Sequence, residues 1–224
     1  MKKIEFTNET DVRLGFEVEC VIRSRRRLIR KLREIQRGIT VGHDGSINTH
    51  GFNDNHTTAE IRTKPEPPKD AIETLGKIFD IVNECGGTNA SCGLHVNISS
   101  TSRRKMKNFN PLVFASTNLW SEILKRFRRG GNRFCRPVFK LRSRRISKVN
   151  ILSTFSNMHY DKYRCVNLSN FANGSYKSSR VEIRGFGNTN YTRKYDIIIS
   201  YVKRIEKMFN IACEDTPLAR HVRV

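Results

Sequence analysis

No apolar run in the sequence approaches the roughly 20 residues a helix needs to cross a bilayer, and the lysines at its start are not followed by the apolar stretch of a secretion signal. A membrane protein and a secreted protein are both unexpected. C-x-x-C spacing is also missing. Cys20, Cys85, Cys92, Cys135, Cys165 and Cys213 stand apart, which argues against a zinc site or a disulfide framework and for reduced core thiols in the cytoplasm. The N-x-S/T triplets at Asn97 and Asn167 then say nothing about glycosylation. Repeats and low-complexity linkers are absent too, so 224 residues read as a single domain with room for a buried site.

Acidic residues are scarce: 21 against 42 lysines and arginines, a net charge of +21. Between Cys85 and Val181 only Glu122 and Asp161 are acidic, against 19 lysines and arginines. Such a field attracts nucleotide phosphates, nucleic acid or an acidic substrate, though a plain solvated surface has the same composition. The densest part, a basic insert around 125–150, carries 11 of the 19 between Lys125 and Lys148, with Phe127, Phe134 and Phe139 among them.

What is present is periodicity of two kinds. Val12 to Ile22 alternates, placing Leu14, Phe16, Val18, Cys20 and Ile22 on one face and Gly15, Glu17 and Glu19 on the other. Strands are also expected at Ala59 to Lys64, Cys92 to Ser99, Tyr163 to Leu168 and Arg180 to Phe186. Helical spacing marks Arg26 to Arg37, Asp70 to Glu84 with Gly86-Gly87 ending it, and Tyr195 to Ala212; a long helix from Ser102 to Phe127, kinked at Pro111, is expected as well. Arg128 to Lys148 reads as irregular or hairpin-like. The sum is α+β with a mainly antiparallel sheet and amphipathic helices on one face.

The polar faces of these strands use few residue types. Glu17 and Glu19, two apart, project from one face about 7 Å from each other. Glu60, His95 and Glu182 each sit mid-strand. Taken singly, each fits a solvated face or a structural histidine. If the strands are neighbours, four carboxylates and an imidazole converge, and burying them unpaired costs several kcal/mol each. A divalent cation resolves the repulsion, and an oxygen-rich set with one imidazole suits Mg²⁺ or Mn²⁺.

Six segments carry a resemblance: Gly15-Phe16-Glu17-Val18-Glu19, His43-Asp44-Gly45-Ser46-Ile47, Ala59-Glu60-Ile61-Arg62-Thr63-Lys64-Pro65, Cys92-Gly93-Leu94-His95-Val96-Asn97-Ile98, Tyr163-Arg164-Cys165-Val166-Asn167-Leu168 and Val181-Glu182-Ile183-Arg184-Gly185-Phe186. In order and spacing, over roughly Val12 to Asn210, the chain resembles the amidoligase family, compact relatives of glutamine synthetase. The resemblance implies a glutamine-synthetase-like curved sheet and an ATP-dependent carbon–nitrogen ligase that activates a carboxylate as an acyl phosphate before an amine displaces phosphate. It assigns Glu17, Glu19, Glu60, His95 and Glu182 to metal and Arg184 to nucleotide phosphate, with Glu17, Glu19, Glu182 and Arg184 as the catalytic set. Arg133, Arg136, Asn97 and Ser99 are further candidates for ATP, and Asp44, Arg62, Arg164 and Asn167 for substrate. Asn97 stands where many relatives have a second histidine. Relatives join amino acids, peptides or small amines, sometimes beside a glutamine amidotransferase partner, and many are carried by bacteriophages.

Two other function classes compete. A nucleic-acid-binding protein that has lost ligase chemistry would use the basic middle, including Arg142 and Arg144, to track phosphates. It gains nothing from converging carboxylates. A Mg²⁺ nuclease could use the carboxylates with His43 and His56, but the spacing is not HNH-like and there is no P-loop.

Overall fold

The alternating stretch Val12 to Ile22 becomes the strand around which the rest is arranged. In the computed structural model, which describes residues 4–35, 38–138, 161–172 and 179–214, it is β1 (Val12–Ile22). Its even-numbered side chains are fully buried, which sends the glutamates to the opposite face. β1 pairs with β3 (Thr57–Arg62) on one side and β5 (Gly93–Ser100) on the other. β2 (Thr40–Gly42) extends the sheet beyond β3, while β7 (Val181–Gly187) and then β6 (Val166–Asn167) extend it beyond β5. All of these pairings are antiparallel. The protein is therefore α+β with a mainly antiparallel open sheet.

Helices cover the apolar face. α1 (Arg25–Ile35) rests on α2 (Pro68–Cys85), and α2 packs under β1. Pro68 opens α2 at a position where its missing N–H has no helical partner to lose. Gly86 and Gly87 do more than end that helix, because as β4 (Gly86–Gly87) they pair with Val21 and Ile22 of β1. The last helix, α7 (Tyr195–Cys213), buries Ile198, Val202, Ile205 and Phe209 against the sheet side. Phe79 meets Tyr191 edge-on, and Phe127 meets Phe186 likewise, with ring centroids 5.8 and 5.2 Å apart. All six cysteines are free and buried in this core.

The long helix expected from Ser102 to Phe127 is instead three: α3 (Arg103–Asn108), α4 (Pro111–Ala115) and α5 (Leu119–Arg126). Ser102 caps the first by accepting from the Lys105 N–H, and the Asn110 side chain caps the second by accepting from Leu112 and Val113. Pro111 is thus a helix start and not a kink, since Asn110 supplies the acceptor a new N-terminus needs. The strand expected from Tyr163 to Leu168 shrinks to β6. The backbone of Tyr163 and Cys165 bonds to Arg136 instead, and α6 (Ser169–Ala172) follows at once. Of the basic stretch after Arg128, residues 129–138 form turns ending in a single parallel bridge of Arg136 to Arg164; Phe139, Arg142, Arg144 and Lys148 lie outside the described residues. Among the described residues no helix is long and apolar enough to cross a membrane.

Candidate metal centre

Register decides which polar residues meet. Glu17 stands opposite Arg62 on β3 and His95 on β5, and Glu19 stands opposite Glu60. Asn97 and Asn167 flank Glu182 from either side of β7. Because side chains alternate, this whole set shares the face turned away from the helices. A bulge completes it. Leu94 pairs with Phe186 but Val96 with Ile183, so β7 carries one extra residue opposite His95. Arg184 keeps to the polar face while Gly185 turns inward, where a Cβ would lie 2.7 Å from Ile123 Cγ2 and 2.9 Å from Cys165 Sγ.

His95 is the hub. Its Nδ1 lies 3.0 Å from Glu17 Oε2 and 3.4 Å from Glu182 Oε1, and its Nε2 lies 3.4 Å from Glu19 Oε1. The remaining carboxylate oxygens have their own donors. Asn97 Nδ2 donates to Glu17 Oε1 at 3.1 Å, the Gly93 N–H to Glu19 Oε2 at 2.5 Å, and Asn167 Nδ2 to Glu182 Oε2 at 2.8 Å. Arg184 Nη1 donates to Glu182 Oε1 at 2.5 Å. Burial would push Glu17 up, but the hydrogen bond and charge of His95, with Asn97 and Arg180, hold it down at about 2. Burial likewise disfavours the charged imidazole, yet Glu17, Glu19 and Glu182 prevail against Arg184 and raise His95.

Glu60 is the exception. The Arg62 guanidinium lies against its Oε2, yet that buried oxygen accepts no hydrogen bond. Burial drives its carboxyl up to about 7, helped by the charges of Glu17 and Asp44 and opposed by Arg62 and His95. A buried carboxylate oxygen that makes no hydrogen bond is costly, and here it belongs to the residue shared by two ligand sets. Glu17, Glu60 and His95 can offer atoms within 4.8 Å of one another, and so can Glu19, Asp44 and Glu60. Asp44 reaches in from the loop after β2. Against the upward push of burial, Ser46 hydrogen bonds and the charges of His95 and Arg184 hold its carboxyl low. The donor set is oxygen-rich with one imidazole, as Mg²⁺ or Mn²⁺ prefers over zinc. The residues present therefore fit a divalent cation, and Glu60 could bridge two.

No protein-family model matches the chain, and no curated protein matches its sequence.

Several expected site residues are placed elsewhere. Arg136 Nη2 and Arg164 Nε both donate to Asp161, at 2.6 and 3.1 Å, and Arg164 Nη1 also donates to the Val138 carbonyl at 2.8 Å. These two arginines clamp the turn after α5 to the chain entering β6. Asp161 lies between them and accepts from both. Arg133 is exposed, with its guanidinium 4.6 Å from the Phe134 ring. Ser99 lies beyond Asn97 on the same face, opposite Arg13. Arg62 stays near the cluster through Glu60, with half of its side chain open to solvent.

Two arginines of the site carry no mark in the sequence. Arg180 Nε donates to Asn97 Oδ1 at 3.0 Å and so aims the Asn97 amide at Glu17. Arg129 is 4% exposed, donates from Nη1 to the Cys92 carbonyl at 2.8 Å, and keeps Nε buried without a hydrogen-bond partner. A Cβ on Gly93 would lie 3.1 Å from Glu19 Oε2 and 3.3 Å from Arg129 Nη2, so Gly93 leaves the space in which the two approach. Within the run Lys125 to Arg129 nothing distinguishes Arg129 as buried. Its inward turn follows from Arg128, whose positive φ of 53° reverses the chain after α5.

Proposed function

We propose that the protein is an ATP- and Mg²⁺-dependent carboxylate–amine ligase of the amidoligase type on a glutamine-synthetase-like sheet. It would join an amino acid, peptide or small amine to a carboxylate through an acyl phosphate, with a glutamine amidotransferase partner as one source of the amine. The observation that carries this reading is the meeting of Glu17, Glu19, Glu60, Glu182 and His95 on one sheet face, with Glu60 Oε2 buried beside Arg62 and making no hydrogen bond. One imidazole and the neighbouring arginines answer only part of this buried negative charge, and a divalent cation would answer the rest.

Glu17, Glu19, Asp44, Glu60, His95 and Glu182 would hold the metal. When bound, it supplies charge neutralisation and orientation for the phosphoryl group. Arg184 is fixed by Glu182 and by the Phe134 carbonyl, 3.3 Å from its Nε, and presents a preorganised cation to a phosphate or to the oxyanion of amine attack. Asn97 and Asn167 orient Glu17 and Glu182. The test is a thermal-shift titration with a non-hydrolysable ATP analogue, with and without Mg²⁺. Stabilisation that needs both supports the reading and justifies screening carboxylates and amines for phosphate release; no shift with either overturns it.

A further inference from the structure

α1 concentrates positive charge at the end where it weakens a helix. Arg25, Arg26 and Arg27 occupy its first turn, and the first turn contains no acidic residue. Cations there oppose the helix dipole, and like charges four apart repel, each costing a few tenths of a kcal/mol. Part of the charge is answered within the fold. Arg25 donates to the Val41 and Gly42 carbonyls at 2.6 and 3.1 Å, and Arg27 and Lys31 pair with Glu84 at 2.8 and 2.7 Å.

Arg26, Arg30 and Arg33 are not answered. All three are exposed, and among the described residues no carboxylate pairs with them. Spaced i, i+4 and i+7, they share the face opposite Leu28 and Leu32, which are 0 and 2% exposed. Along the axis they are separated by about 6 and about 4.5 Å, so their flexible stems can reach successive charges of a polyanion.

We propose that this face of α1 binds the phosphate backbone of double-stranded nucleic acid, without reading sequence. Two features select that partner. Seating a helix in an anionic membrane needs an apolar face to insert beside its charges, and the leucines of α1 are already buried in the core. Unpaired bases would need an aromatic platform, and Arg25–Ile35 contains no aromatic residue. Phosphates remain, and guanidinium is well matched to them. The surface lies on a different element from the acidic cluster and does not rest on the ligase reading.

The test is fluorescence anisotropy of the full chain with a short labelled duplex, between about 50 and about 200 mM salt. The wild type is expected to bind with a salt-dependent affinity. Arg26→Ala/Arg30→Ala/Arg33→Ala should lower the slope of log affinity against log salt by about 2–3, near 0.9 for each phosphate that is no longer neutralised. Arg26→Lys/Arg30→Lys/Arg33→Lys should keep the slope, and circular dichroism should show both variants folded. Absence of wild-type binding, an unchanged slope in the alanine variant, or preference for phosphatidylserine vesicles over duplex would each overturn the proposal.

Discussion

The hydroxyl of Tyr191 lies 2.8 Å from the main-chain carbonyl of Glu19 and 3.0 Å from that of Gly93. β1 pairs with β5 as far as Val18 and with β4 from Val21 onward, so on that side the backbone at Glu19 has no strand partner. Tyr191 fills the gap from the helical face. Removing its hydroxyl with Tyr191→Phe leaves a buried carbonyl without a donor, at a cost of about 1–3 kcal/mol. The expected result is a lower urea midpoint and, on the metal-site reading, weaker Mn²⁺ binding as well because Glu19 loses its brace.

Glu17→Gln and Glu182→Gln keep the shape of each side chain and remove its charge. On the ligase reading, each variant should lose a Mg²⁺-dependent stabilisation by nucleotide, which for a wild type at a hundredfold excess over Kd would be about 2.7 kcal/mol. Far-UV circular dichroism should remain that of wild type. If both variants bind nucleotide normally, these carboxylates do not hold the metal.

Glu60 has the opposite sign from an ordinary ion-paired carboxylate. Its folded-state value is raised to about 7, so without metal the fold is penalised for charging it, and stability falls as pH rises from the ordinary value through 7. Glu60→Gln should therefore melt above the wild type at pH 8 without added metal, and below it once Mn²⁺ is present. Differential scanning calorimetry with and without the ion reads both arms.

Asp11 gives the acid-side prediction. Burial raises its carboxyl, but hydrogen bonds from Lys105 and Ser100 and the Lys105 charge carry it below the ordinary 3.8. The contribution is fully present above that value and is lost as pH falls through the lowered one. Asp11→Asn should melt below the wild type at pH 6, and the gap should close as pH falls through the lowered value.

Glu17, Glu19, Glu60, His95 and Glu182 are legible in sequence because each interrupts an otherwise apolar alternation, which strands make conspicuous. That they face one another depends on strand order and register, properties of long-range pairing that local patterns do not carry. The shared pairing of Arg136 and Arg164 with Asp161 is hidden for a related reason, since Asp161 is distant in sequence from Arg136. Arg129 belongs to a basic run that looks solvated, and only the reversal at Arg128 turns it inward. The break at Asn110-Pro111 is legible as cap chemistry but is outweighed by helical spacing on either side.

The burial of every cysteine makes the protein its own unfolding indicator. Burial pushes Cys92 and Cys213 up to about 12, and all six are enclosed, so a thiol-specific dye has little to attack in the native state. Labelling must then await opening of the chain, and six reactive groups spread from Cys20 to Cys213 would report, peptide by peptide, which part of the fold lets go first.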